Sequence, residues 1–377
     1  MNPALNPAAD RDFEIFLVTA PGLEAALRDE AAAAGFRQAK AVKGGVTVAG
    51  GWPEVWRANL ELRGAARVLA RIASFRAMHP AQLDKRAHKV AWREFLTADA
   101  PFRVEASCKA SRIYHEGAAA QRVEQAIRDV AGAVPSEDAE LAVKVRIDDD
   151  LCTISLDTTG ESLHKRGHKA EVAKAPMREN LAALFLRQCG FDGKEPVLDP
   201  MCGSGTFVIE AAEIALGLKP GRSRRFAFEQ LATFDRSAWE KLRAAGTARS
   251  IDPALRFHGC DRDAGAIRMS RANAERAGVA KLTDFATQEI AALAAPEGPR
   301  GLVIVNPPYG TRIGEKKTLI PLYRQLGARL REGFGGWRVG IITNDAELAA
   351  ACDLSLAPAG GPVSHGGIRV TLYRAAL

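Results

Sequence analysis

The stretch Leu302-Val303-Ile304-Val305-Asn306-Pro307-Pro308-Tyr309-Gly310 joins a wholly apolar run to a stiff polar loop. Four consecutive aliphatic residues with no polar alternation predict a strand buried in a parallel sheet. Two prolines fix φ and remove backbone donors, which stiffens the loop after it. An exocyclic amine conjugated to a ring or a carbonyl has a delocalised lone pair and must be oriented before it attacks an electrophile. The Asn306 side-chain oxygen and the Pro307 carbonyl are suited to accept its two N–H bonds, and Tyr309 offers a face for stacking a planar group. Asn-Pro-Pro is also a way of ending a strand, and the loop alone is open to that plainer reading.

A second loop of the same kind lies upstream. Pro196-Val197-Leu198-Asp199-Pro200-Met201-Cys202-Gly203-Ser204-Gly205-Thr206-Phe207 reads as a short strand, a glycine turn and the start of a helical run from Val208 to Leu216. Small residues there let backbone N–H groups approach a ligand at the helix N-terminus. The G-x-G-x-x-G spacing of a dinucleotide site is absent, and Asp199 at the strand end would repel a diphosphate. A cationic ligand is favoured. S-adenosylmethionine (SAM) carries a sulfonium, an α-amine and no phosphate, and suits an acid-bearing glycine loop better than a dinucleotide. A plain strand-to-helix turn remains the alternative at this point.

A third strand end follows in Leu255-Arg256-Phe257-His258-Gly259-Cys260-Asp261-Arg262-Asp263, with a helix expected from Ala264 to Ala277 and stopped by Gly278. An acid at the end of the second strand is where Rossmann-like sheets hold a ribose diol, which makes Asp261 the candidate, while Asp263 is placed to cap the helix. The bland reading makes Asp261 a solvated loop acid. The order of the three loops favours a site: all fall on the carboxyl edge of one parallel sheet.

These residues resemble the SAM-dependent RNA methyltransferases that carry an N-terminal THUMP domain, most closely the N2-guanine methyltransferases of large-subunit ribosomal RNA. The resemblance runs over nearly the whole chain, through Ala20-Pro21-Gly22-Leu23-Glu24, Val42-Lys43-Gly44-Gly45-Val46, Leu163-His164-Lys165-Arg166-Gly167, Ala175-Pro176-Met177-Arg178-Glu179-Asn180, the glycine loop, Phe226-Ala227-Phe228-Glu229 and Asn306 to Gly310. It implies a Rossmann-like α/β methyltransferase domain with a mixed, mostly parallel sheet, preceded by an α+β ferredoxin-like and THUMP region. By resemblance, Asp199, Gly203 and Gly205 line the methionine half of the cofactor and Asp261 the ribose, Pro200, Cys202, Thr206, Arg262 and Asn306 are further cofactor-binding residues, and Asn306, Pro307, Pro308 and Tyr309 hold the target base. Where the family has an acid beside the adenine after the third strand, this chain has Phe285-Ala286-Thr287-Gln288-Glu289, so Glu289 is the nearest equivalent.

Composition agrees with a nucleic-acid-directed enzyme. The 377 residues leave room for two or three domains, and 47% hydrophobic content supports a sizeable core. A net charge of +7 favours a polyanionic partner, here RNA. The six cysteines show no C-x-x-C or paired spacing, so no metal site and no disulfide framework is expected. No apolar run of membrane-spanning length and no signal peptide is read, which makes the cytoplasm the expected location. Oligomeric state is not legible.

The organisation expected is a ferredoxin-like module at 1–60, a THUMP domain at 61–160, a linker at 161–175 and the methyltransferase domain at 176–377, with a basic insertion at 217–254. Strands are read at Phe13 to Thr19, Val46 to Val48 and Phe102 to Ser107, and helices at Leu23 to Ala34 and Ala118 to Ala131. A hairpin, 142–147 with 151–156, turns on Asp148-Asp149-Asp150. Trp52 to Ala77 reads as an amphipathic helix pair with arginines at 57, 63, 67, 71 and 76 on its outer face, open equally to RNA contact and to plain solvation. The candidate RNA contacts are Lys109 and Arg112, with His115 nearby, then Lys165, Arg166 and Lys169 in the joining segment, and Arg224 and Arg225 in the insertion.

The chemistry expected is in-line methyl transfer to the exocyclic N2 of a guanine turned out of its stack, achieved by positioning and desolvation without a catalytic histidine. Transfer RNA is an alternative substrate. A DNA adenine-N6 or a protein-glutamine methyltransferase would share Asn-Pro-Pro-Tyr but not the α+β N-terminal half. A non-catalytic RNA-binding protein has no need of the intact Asp199, Gly203, Gly205, Asp261 and Asn306.

Overall fold

The computed structural model describes residues 12–169, 177–246, 249, 251–310 and 316–377. The expected opening of the catalytic half at Ala175 and Pro176 lies outside them. The chain divides into two units, and it passes between them more than once: of the described residues, 12–19, 28–163 and 224–245 belong to the first, while the rest, from 20–27, 164–223 and 246–377, belong to the second.

The first unit begins with β1 (Phe13–Val18), α1 (Glu24–Ala33), β2 (Arg37–Val42), β3 (Gly45–Gly50), α2 (Trp52–Glu61) and β4 (Arg67–Arg76). Ile15 and Leu17 of β1 and Leu27 and Ala31 of α1 are fully buried, as alternation on a strand and i, i+4 spacing on a helix require. It continues with α3 (Pro80–Ala87), α4 (Trp92–Phe95), β5 (Pro101–Lys109), α5 (Glu116–Ala131), β6 (Val134–Pro135), β7 (Ala142–Asp148) and β8 (Leu151–Asp157). One eight-stranded sheet runs through both parts in the order β2-β3-β1-β4-β8-β7-β5-β6, so the strand that completes the first βαββαβ pattern, β4, also pairs with β8. That first pattern therefore extends past the boundary expected at residue 60, to Arg76. The β7–β8 hairpin turns on Asp149 (φ 51°) and Asp150 (φ 59°), a two-residue loop with both central residues left-handed.

The expected helix pair from Trp52 to Ala77 is half wrong. Only α2 is helical; Arg67 to Arg76 is a strand whose Val68 and Ala70 are buried in alternation, because β1 and β8 supply pairing partners on both sides. Nor are the arginines a free cationic face. Arg57 lies 4.0 Å over the Phe36 ring, Arg71 lies over Phe16 and pairs with Glu14, and Arg67 bonds Asp157 at 2.7 Å.

The second unit contains α6 (Glu179–Gln188), β9 (Val197–Asp199), α7 (Thr206–Leu216), and, beyond the insertion that carries α8 (Arg236–Ala244), β10 (Phe257–Asp261), α9 (Ala264–Ala277), β11 (Thr283–Thr287), β12 (Leu302–Val305), α10 (Lys316–Gly333), β13 (Arg338–Thr343), α11 (Ala346–Ala351), β14 (Ala357–Pro358), β15 (Val363–His365) and β16 (Ile368–Ala376). The sheet order is β11-β10-β9-β12-β13-β16-β14, parallel from β11 to β13 and antiparallel at β16. All four residues of β12 are completely buried, as the unbroken apolar run predicts. Helix α9 spans the expected residues, opened by Asp263, whose Oδ1 accepts from Gly265 N at 2.7 Å, and closed by left-handed Gly278. From β9 the chain goes to β10 and β11 on one side and later to β12 on the other, so the order reverses at β9. That is the point where a doubly wound sheet opens a crevice for a ligand.

The insertion splits. Residues 224–245 belong to the first unit, where Phe228 stacks on Phe226 (5.2 Å between centroids) and meets Trp239 edge-on at 5.0 Å and Trp56 at 6.2 Å. The Phe226-Ala227-Phe228-Glu229 motif is thus an apolar anchor.

Candidate functional site

Since β9, β10, β11 and β12 are parallel, Asp199, Asp261, Gln288 and Asn306 all emerge on one edge. The glycine loop is held there by backbone bonds from several sides. Cys202 N donates to the Cys260 carbonyl at 2.8 Å, Gly203 N to Asp261 Oδ2 at 3.0 Å, and Ser270 Oγ to the Gly203 carbonyl at 2.8 Å, while Asn273 Nδ2 donates to the Ser204 carbonyl at 3.1 Å. Asp261, the residue expected at the ribose, has a structural part in the fold: its other oxygen accepts from Asp263 N at 2.9 Å, and the carboxylate ties the glycine loop to the end of β10.

Packing inside the protein also requires Gly205 to lack a side chain. Its φ is +82°, and a Cβ would sit 3.1 Å from Ser270 and from the Phe285 ring, so α9 and β11 close over it from the protein side. Cys202 is also turned inward, its sulfur 3.8 Å from Ser270 Oγ, with burial pushing its thiol well above the usual range. Thr206 is buried and its hydroxyl is already engaged by Lys169. Pro200 is buried, and Arg262 and Glu289 are exposed on the edge beyond β10 and β11.

Asp199 is the unusual charge. It is 2% exposed, its Oδ1 accepts from Met201 N at 3.1 Å, and burial, aided by the nearby Asp261, raises its carboxyl from 3.8 to about 8. No cation among the described residues offsets it. A second incomplete group is Asn306, whose Oδ1 is enclosed and has no hydrogen-bond partner among the described residues. The Pro308 carbonyl accepts from Tyr323 OH at 3.3 Å, which pins the loop from below, and Tyr309 is half-buried against the apolar cluster around Tyr323 and Leu326. A buried acid lacking a cation and a buried acceptor lacking a donor fit a cationic cofactor beside an amine-bearing substrate.

Three of the expected RNA contacts are structural instead. Arg166 is 1% exposed and its guanidinium pairs with Glu210, equally buried, at 3.1 Å. Lys169 donates to Thr206 Oγ1 at 2.9 Å and the Met177 carbonyl at 3.2 Å and pairs with Glu179 at 3.2 Å. Arg224 donates to the carbonyls of Ser162 (2.9 Å), Thr159 (3.4 Å) and Glu161. Their charges are spent on packing, which a run of basic letters does not reveal. Lys109, Arg112, Lys165 and Arg225 are exposed, Arg112 with its guanidinium 3.9 Å from the Asp150 carboxylate. His115 caps α5, its Nδ1 accepting from Ala118 N at 3.0 Å. Among functional-edge residues, Tyr323, Ser270, Asn273 and Lys169 were not singled out as site residues, or were given another role, because each reaches the loop from a distant part of the sequence.

A family of RMKL-like methyltransferase domains matches residues 166–370, an RlmL ferredoxin-like domain matches 14–69, and a THUMP domain matches 80–157. The first match spans more than half of the chain, and the chain belongs to that methyltransferase family. It is similar to the ribosomal RNA large subunit methyltransferase K/L of Syntrophotalea carbinolica, 38% identical over 353 residues, covering 89% of this chain and 50% of that protein. The chain thus spans about half the length of this curated relative. Among solved structures it is similar to a candidate methylase from Clostridium difficile 630 (28% identical, TM-score 0.86, covering 97% of this chain and 98% of the other). It is equally similar to SMU.472, a candidate methyltransferase in complex with SAH (27% identical, TM-score 0.86, covering 97% and 98%). The expectation of a Rossmann-like methyltransferase behind a ferredoxin-like and THUMP region holds.

Proposed function

We propose that the chain is a SAM-dependent RNA methyltransferase that methylates the exocyclic N2 of a guanine in large-subunit ribosomal RNA, acting in the cytoplasm. The observation that carries this reading is the enclosed, unpartnered Asn306 Oδ1 at the carboxyl end of β12. The RNA assignment is supported by the THUMP domain match and by the curated relative's activity on ribosomal RNA.

SAM supplies an electrophilic methyl group on a sulfonium. Asp199, Gly203 and Gly205 receive its methionine half and Asp261 its ribose. Asn306 Oδ1 and the Pro307 carbonyl accept the two N–H bonds of the guanine amine and aim its nitrogen, and Tyr309 stacks the extruded base. As the N–C bond forms and the C–S bond breaks, the amine becomes cationic; its proton leaves to water. Lys109, Arg112, Lys165 and Arg225 are the exposed basic residues offered to RNA phosphates.

The test is the product. Nucleoside mass spectrometry of unmodified large-subunit RNA treated with the enzyme and SAM should show N2-methylguanosine. N6-methyladenosine, or transfer to protein alone, would overturn the substrate. Asn306→Ala should leave cofactor affinity intact and lower transfer roughly a hundredfold or more, since it misplaces the reacting group. Equal loss of both would make Asn306 a cofactor residue instead.

A further inference from the structure

Tyr114, in the loop between β5 and α5, is 82% exposed, and it is the largest exposed apolar side chain among the described residues. The ordinary use of an aromatic at this position is local: an apolar residue just before a helix N-cap packs onto the fourth helical residue and fixes the entry of the chain. Here His115 is the cap and the fourth residue is the buried Ala119, so a ring this open is not spent on that contact. Nor is the loop slack. Ile113 is buried beside the ring, and His115 Nδ1 accepts from Ala118 N at 3.0 Å. Ser111 Oγ donates to the Lys109 carbonyl at 2.7 Å and accepts from Asp150 N at 3.0 Å, while Asp150 Oδ1 accepts from Arg112 N at 2.8 Å. The ring is therefore presented on braced backbone, and little ordering remains to be done when something covers it.

The surroundings say what the cover is. Lys109 and Arg112 flank the ring in sequence and are exposed; the Arg112 side chain remains 66% open although its guanidinium lies 3.9 Å from Asp150. The acids of the same corner each give an oxygen to backbone, Asp150 to Arg112 N and Glu116 to Cys108 N at 3.2 Å. Leu151, another exposed apolar side chain, sits next to Asp150 on the hairpin that the loop is tied to. We propose that Tyr114 is a stacking platform for an unpaired base of RNA, with Lys109 and Arg112 on the flanking phosphates, a role that rests on the RNA reading above and narrows it. An aromatic ring takes the face of a base only where no neighbouring base already covers it, so the segment bound here is a single-stranded loop, bulge or end and not a duplex.

The test measures the affinity of the full chain, by fluorescence anisotropy, for two labelled probes: an oligoadenylate and a blunt-ended RNA duplex. Tyr114→Ala should weaken the oligoadenylate by about tenfold, within the range for stacking one base, and leave the duplex unchanged. Tyr114→Phe keeps the π-face and should bind both probes as the wild type does, whereas Tyr114→Leu, apolar but without a ring, should lose most of what Tyr114→Ala loses. The salt slope should be the same in all three variants, because no phosphate contact is removed. Equal weakening of both probes by Tyr114→Ala would mean that the ring only supports the basic loop. Undiminished oligoadenylate binding would mean that the ring serves another partner, such as a protein surface. Either result overturns the stacking role alone, and a wild-type chain that binds neither probe overturns the RNA reading with it.

Discussion

Asp199 shows how one buried atom group sets a measurable property. Raised from 3.8 to about 8, its carboxyl is protonated in the ligand-free fold at neutral pH, because burial penalises the anion and no cation answers it. The folded-state value lies above the unfolded one, so the contribution of this group to stability is full below about pH 4 and is lost progressively as pH rises toward 8. A cationic ligand favours the anion, so its binding expels the proton. Affinity for SAM is therefore expected to rise with pH up to about 8 and then level off, and Asp199→Asn should flatten the dependence. Calorimetry across that range checks it; a slope that survives in the Asn variant would assign the proton to another group. At the same scale, Asp199, Asp261, Asn306 and the two glycines were legible because they sit within a few letters of a strand end. That Gly205 also answers to packing against α9 and β11 was not, since Ser270 and Phe285 come from elsewhere in the chain.

At the scale of elements, the basic segment 165–169 divides sharply. Arg166 pairs with Glu210 at 1% exposure on both sides, whereas Lys165 is exposed. Removing one partner of a buried ion pair leaves the other charged without compensation, a loss of about 3–5 kcal/mol. Arg166→Ala should therefore destabilise the second unit by about that much in denaturant unfolding. A small effect would return Arg166 to the surface role first expected of it. The sequence distinguished helices with strong local signals, such as α9 with its Asp263 cap and Gly278 stop, and it missed β4, whose arginine-rich strand is imposed by β1 and β8. The edge strand β2, Arg-Gln-Ala-Lys-Ala-Val, was equally silent, because an exposed edge needs no apolar alternation.

For the whole molecule, a net charge of +7 is a statement about partners only if the charges are exposed. Several arginines are consumed inside the units, which shifts the RNA proposal to Lys109, Arg112, Lys165 and Arg225. Lys109→Ala combined with Arg112→Ala should weaken RNA binding and reduce its log-log salt slope by about one to two units, the release expected for one or two phosphate contacts. An unaltered slope would leave that loop merely solvated. Five of the six cysteines are buried, so alkylation under native conditions offers a check on the fold: Cys108, half-buried, is the thiol expected to react first.

The sequence by itself determined the class of the sheet, the order of its functional loops and the identity of the acid and amide groups at the strand ends. Each of these is written in short-range patterns: an unbroken aliphatic run, a glycine turn, a capped helix. Only the tertiary structure decided which charges are exposed and which are buried in pairs, where the insertion belongs, and which buried atoms lack partners. Those depend on contacts between residues distant in the chain, such as Arg166 with Glu210 or Lys169 with Thr206, and burial turns the same basic letter from a solvated cation into an internal brace.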